Sequence, residues 1–152
     1  MKPMPTKRAP FAIALLGVVL WLGGVRPAGA TSVIPPTFPE LVAEAEAIVR
    51  GRVKDIAVRR SSAPDGTPVI KTHVTFSVER TLKGAERREI TLEFLGGTIG
   101  DASLVVTGLP RFEPGSTDYL FIERNGVQFC PLVAVRHGRY RLLRDAAGRE
   151  FV

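Results

Sequence analysis

A mainly β domain with one short helix at its start is the fold class this sequence predicts. Three observations lead there. Beyond residue 47, apolar and polar residues alternate with a period of two in several runs. Clusters of Gly, Pro, Asn and Asp break the chain about every 8–12 residues. Only one stretch, Thr37 to Ala47, combines helical spacing with a start signal. The expected architecture is a small antiparallel barrel or sandwich of some six or seven strands.

The chain opens with a predicted secretory signal peptide, Met1 to Ala30. Lys2, Lys7 and Arg8 form a basic start, Phe11 to Val25 is an uncharged apolar run of 15 residues, and Ala28-Gly29-Ala30 is a small-x-small cleavage site after Pro27. A membrane-spanning helix needs roughly 20 apolar residues, so the run fits a cleaved signal better than an anchor. Arg8 has no arginine beside it, which points to the general secretory route. Residues 31–152 are then one β-rich domain, expected in the periplasm or outside the cell.

In that domain Thr31 to Pro39 is a Pro-rich lead-in. Thr37 and Glu40 have the T-x-x-E spacing of a capping box, and Leu41, Val42 and Ala45 form the helix's apolar stripe. Ile48 to Arg60 reads as the first strand, with Val49, Gly51 and Val53 on one face; Gly51 within it signals a bulge or bend. Ser61 to Pro68 is a turn. Val69 to Leu82 is the second strand, with Val74, Phe76, Val78 and Leu82 inward, and Glu89 to Leu95 the third, with Ile90, Leu92 and Phe94 inward. Gly96 to Gly100 breaks the pattern, Leu104 to Val106 is a short strand, and Gly108 to Gly115 is a loop with two prolines. Asp118 to Glu123 and Val127 to Val133 read as a hairpin around Asn125-Gly126. Gly138 to Leu143 and the chain end form a last hairpin about Asp145 to Gly148. The long bent first strand and the glycine-marked corners favour a partly open Greek-key barrel of the OB type.

Charge and cysteine count narrow the function classes. The chain has 21 Lys and Arg against 15 Asp and Glu; without Lys2, Lys7, Arg8 and Arg26 the balance is 17 to 15, a net +2. That gives little drive toward nucleic acid or a membrane surface. Cys130 is the single cysteine, so no internal disulfide is expected. Its neighbours Phe129, Pro131 and Leu132 point to a buried, inert thiol. At 122 residues the exported domain needs neither disulfide nor metal to fold.

Three stretches carry a resemblance. They are Glu40-Leu41-Val42 with Ala45-Glu46-Ala47-Ile48-Val49-Arg50-Gly51-Arg52-Val53; Thr75-Phe76-Ser77-Val78 with Leu82-Lys83-Gly84; and Gly108-Leu109-Pro110-Arg111-Phe112-Glu113-Pro114-Gly115 followed by Tyr119-Leu120-Phe121-Ile122. Together they resemble a group of uncharacterised exported bacterial proteins over most of the chain after Ala30. These are core strands and turns, so the resemblance implies no activity. A helix leading into Ala45-x-x-Ile48-Val49-x-Gly51-x-Val53 and then a Leu82-Lys83-Gly84 corner is also similar to the netrin-type OB barrel of tissue inhibitors of metalloproteinases. Those inhibitors chelate the protease zinc through an N-terminal cysteine and are stapled by disulfides. Here Thr31 would stand first and Cys130 is alone, so the likeness implies the fold and not the inhibitory mechanism.

No catalytic signature is present. His73 and His137 are the only histidines, too few for a zinc site without converging carboxylates. Ser103 with a histidine and Asp101 lacks the G-x-S-x-G context of a nucleophile. No catalytic residue, cofactor or metal is therefore assigned. Two interaction features stand out. One is the glycine-rich connection Gly96, Gly97, Thr98 and Gly100, together with Arg111 and Phe112; its amides suit an anion, but no helix follows it. The other is a basic strip, Arg136, Arg139, Arg141 and Arg144, with Arg149, that faces only Asp145 and Glu150. The sequence favours a monomeric, non-catalytic binding module for a protein or cell-envelope polymer. A protease-inhibitor or protease-accessory role and a hydrolase with an unrecognised site stand as alternatives.

Overall fold

A computed structural model describes residues 35–63 and 65–152. The expected signal segment, Met1 to Ala30, and the first residues of the lead-in lie outside the described residues. The elements are α1 (Phe38–Glu44), β1 (Ala47–Ser62), β2 (Pro68–Lys83), β3 (Glu89–Leu95), β4 (Gly97–Ile99), β5 (Ala102–Leu104), β6 (Thr117–Ile122), β7 (Arg139–Arg141), β8 (Leu143–Arg144) and β9 (Glu150–Phe151). The fold is mainly β. Five antiparallel strands form one sheet in the order β3-β2-β1-β6-β7, and β4-β5 and β8-β9 are separate two-stranded ribbons. β3 and β7 are not paired to each other, so among the described residues the sheet does not close into a barrel.

α1 starts where its capping box places it. The Thr37 amide donates to Glu40 Oε2 at 2.7 Å, which satisfies a group the helix leaves unpaired. It ends at Glu44 rather than near Ala47, because sheet pairing captures the chain: the Glu46 amide donates to Ile122 O at 2.8 Å, and Ala47 pairs with Ile122. Lys83 closes the helix end by donating to the Val42 carbonyl at 2.8 Å.

The long hairpin β1–β2 is the spine of the domain, and β3 matches its expected bounds. The main core gathers Val49, Val53, Val74, Phe76, Leu92, Phe94, Leu120 and Leu132. Because neighbouring strand residues point to opposite faces, Ile48 and Phe121 reach the other side and pack with Leu41, Ala45 and Val133 beneath α1. Gly51 marks a shift in the β1–β2 register, and a Cβ there would lie 3.1 Å from that of Phe76. The shift reverses which side chains face inward. Leu82, expected in the core, is 49% exposed: the extra residue Glu79 shifts the alternation of β2 past Val78, and Leu82 itself is left without a partner where the register shifts again between Ile48 and Val49.

Two further expectations are corrected. Gly96 to Gly100 is no simple break: Gly97–Ile99 pairs with Ala102–Leu104 to make the hairpin β4–β5, so the short strand precedes Val105 rather than including it. Val127 to Val133 is not a strand. Arg124, Ala134 and Val135 have positive φ, and among the described residues a single bridge, Ile122–Leu132, pairs this segment with β6. Asn125 instead serves the free edge of β3: its Nδ2 donates to Thr91 O at 2.8 Å and its Oδ1 accepts from the Glu93 amide at 3.1 Å. The Leu95 amide adds a bond to Phe129 O at 2.8 Å. The connection thus covers an edge that would otherwise invite pairing with another chain. Among the described residues no helix is long and apolar enough to cross a membrane.

Candidate functional site

The glycine-rich connection folds onto the sheet because it lacks side chains where the chain must approach closely. The Gly96 amide donates to Ile70 O at 2.7 Å, and Thr72 Oγ1 donates back to Gly96 O at 2.7 Å. At Gly97 φ is +139°, and a Cβ would meet Val58 Cγ1 at 2.5 Å and Thr72 Oγ1 at 2.9 Å. Glycine is required there on both counts. The hairpin β4–β5 is thereby seated over β1 and β2. Across it, the hydroxyls of Thr98 and Ser103 bond at 3.1 Å.

A strap from Val105 to Phe112 runs beside this hairpin. Among the described residues its amides make no backbone hydrogen bond, so side chains hold it. Phe112 plugs onto the core, edge-on to Phe76 at 5.4 Å and tilted against Phe94 at 5.2 Å between ring centroids. The Arg139 guanidinium lies 4.2 Å above the Phe112 ring. Its Nη1 donates to the Arg111 carbonyl at 2.5 Å, and its Nε donates to Asp118 Oδ1 at 2.7 Å. Asp118 is fully buried, and Arg139 Nη2 is buried without a hydrogen-bond partner. One buried ion pair therefore pins the strap to β6 and β7.

Between strap, hairpin and sheet lies a half-open groove of about 450 Å³. Ile56, Val74, Phe94 and Leu95 form its floor; Gly96, Gly97, Thr98, Ser103 and Leu104 form one wall; Leu109, Pro110, Arg111 and Phe112 form the other. Five of the residues singled out in the sequence, Gly96, Gly97, Thr98, Arg111 and Phe112, meet in this groove. Gly100 does not; it sits in the hairpin turn with φ +55° and open space around it.

The arginine strip has a different arrangement from the one expected. Its side chains face more carboxylates than Asp145 and Glu150. Arg139 takes Asp118 and Arg141 takes Glu113, while Arg144 pairs with Glu150 at 2.8 Å and Arg149 with Asp145 at 2.7 Å. Folding brings the extra acids from β6 and the strap's end, positions distant in sequence. Glu150 also takes Arg50 at 3.0 Å, and these guanidinium contacts hold its carboxyl below the usual carboxylate range. Arg136 is exposed and makes no ion pair among the described residues.

The sequence expectations do not include Asp118 and Arg139 as partners. A signal was there: Asp118 shares the inward parity of Leu120 and Ile122 along one strand, and a carboxylate at such a position requires a partner. Cys130 is buried at 2% exposure, and desolvation pushes its thiol up to about 11. His73 stands in the sheet opposite Ala57 and Glu93, whereas His137 lies in the turn after Val133, its amide donating to Ala134 O at 3.2 Å. Ser103 is engaged with Thr98, and Asp101 is exposed in the β4–β5 turn. Among the described residues, no three His, Cys, Asp or Glu side chains are grouped to hold a metal ion. Compared with known proteins, the chain matches no family model, no curated protein and no solved structure.

Proposed function

We propose that this chain is an exported, non-catalytic binding module that engages a protein or a cell-envelope polymer through the groove between β4–β5 and the strap. The observation that carries the reading is the meeting of Gly96, Gly97, Thr98, Arg111 and Phe112 around one cleft with an apolar floor. Its volume of about 450 Å³ falls within the range of ligand pockets, roughly 300–1,000 Å³. Val105 stands at its rim, 83% exposed, where a partner would cover it. Export rests on Met1 to Ala30 and places the module in the periplasm or outside the cell.

In the same reading the sheet is an OB-like barrel left open at one seam. The support is that the long, bulged β1 serves both β2 and β6, and that Asn125 and Phe129 reach from the segment after β6 to the edge of β3. OB-type folds present loops and one sheet face to their ligands, as the groove does here.

The test is recovery of partners from cell-envelope fractions by the wild-type protein and by Val105→Asp. The substitution puts a charge at an exposed rim position and leaves the core untouched. Loss of the recovered species in the variant is expected; unchanged recovery overturns the groove as the binding surface.

A further inference from the structure

We infer that the groove takes a small amphiphile, an apolar chain carrying one carboxylate, with Arg111 as the partner of the anionic group. The inference rests on the groove reading and adds the chemistry of the ligand.

Three observations bear on it. The floor is formed by hydrocarbon, namely Ile56, Val74, Phe94 and Leu95, with Leu109 and Phe112 beside it. The lining hydroxyls are already engaged, Thr72 with the Gly96 carbonyl and Thr98 with Ser103. The one charged residue that lines the groove is Arg111, which is exposed and forms no ion pair among the described residues. The strap's other arginine contacts run differently: Arg139 and Arg141 reach in from β7 and are each matched by a carboxylate.

The position of Arg111 is fixed although its side chain is free. Its carbonyl accepts from Arg139 Nη1 at 2.5 Å, and the next residue, Phe112, is stacked in the core. The guanidinium thus projects from an anchored backbone, which lowers the ordering cost of binding. Among the described residues no Asp or Glu lines the groove to compete for it. A hydrocarbon ligand would be driven in by burial of its apolar surface, and a carboxylate at its end would gain a charge-assisted, two-pronged contact with the guanidinium. A neutral polar head could bond to the spare O–H of the Thr98–Ser103 pair or to the guanidinium, but without the charge assistance that a carboxylate gains.

The experiment titrates the ¹⁵N-labelled protein with decanoate and with decanol, both below their aggregation concentrations, and follows amide shifts. Decanoate should bind saturably, with shifts concentrated in residues 96–98 and 104–112, and about three- to tenfold more tightly than decanol. Arg111→Gln keeps the anchored carbonyl; it should weaken decanoate several-fold more than decanol and so abolish that preference. Val105→Asp should weaken both probes. Equal binding of the two probes to the wild type at the groove overturns the anion assignment and leaves the groove reading standing. A preference that survives Arg111→Gln, or decanoate shifts that centre elsewhere, overturns the role of Arg111. Binding by neither probe, or only by an apolar peptide with an amidated end, overturns the small amphiphile; the partner-recovery test with Val105→Asp then decides the groove reading separately.

Discussion

From Ile70 to Leu95 the chain is held by its backbone: β2 lies between β1 and β3, and the register runs unbroken from Lys71–Leu95 to Ser77–Glu89. From Val105 to Phe112 the amides make no such bond among the described residues, and a phenylalanine ring and a guanidinium do the holding. The two regions touch at Phe76, Phe94 and Phe112. The difference shows that two parts of one small β domain are held by different means: the floor by ladders, the strap by a few side chains centred on Arg111 and Phe112. Backbone ladders exchange cooperatively, whereas a segment fixed by a few side chains opens locally.

Substitutions at the junction sharpen this contrast. Phe76→Ala, in the fully buried core of the sheet, should cost about 3–5 kcal/mol in urea unfolding. Phe112→Ala, half-buried in the strap, should cost about half as much, with new exchange confined to the strap; equal losses would merge the two regions into one. Arg139→Met should cost about 3–5 kcal/mol, since it leaves Asp118 buried without its ion partner. Arg141→Met on the same strand breaks a pair whose side chains are 43% and 68% exposed, and should cost under about 1 kcal/mol. Parity between these two arginine variants would mean that burial of the pin is unimportant.

Smaller effects distinguish the two glycines of the hairpin. Gly97→Ala forces a Cβ against Val58 and Thr72 at φ +139° and should cost about 2–4 kcal/mol. Gly100→Ala meets open space at φ +55° and should cost about 1 kcal/mol. A pH-dependent effect concerns Cys130. Its folded thiol is raised from 9.0 to about 11, so the protonated form is the one that folding favours. The resulting stability is present in full below pH 9 and is lost as the pH rises toward 11. The urea midpoint of the wild type should fall over that window relative to Cys130→Ala, and the folded thiol should resist alkylation at pH 8.

What was legible follows the same division. Glu89 to Leu95 and the two long strands could be read because each inward position repeats with period two along one backbone. The helix start was legible in Thr37 and Glu40, since a capping box is local chemistry. Leu82 continues the alternation of Val74, Phe76 and Val78 in sequence, but Glu79 and Leu82 are left without β1 partners where the register shifts, and a period-two pattern does not show where a strand bulges. Asn125-Gly126 gives a turn, yet Asn125 bonds to β3 across 34 residues, so it does not build the hairpin that the dipeptide suggests. The meeting of Gly96 to Thr98 with Arg111 and Phe112 could be guessed from a glycine-rich connection. The pin beneath it could not, because Asp118 and Arg139 are 21 residues apart and meet only through β6–β7 pairing.

Amide hydrogen exchange on the wild type and on Arg139→Met tests the contrast most directly. The pinned-strap account predicts that residues 105–112 exchange well before residues 89–95 in the wild type, and that loss of the guanidinium speeds exchange in the strap far more than in β3. Exchange that rises equally in both segments would contradict it, because strap and sheet would then open together as one unit.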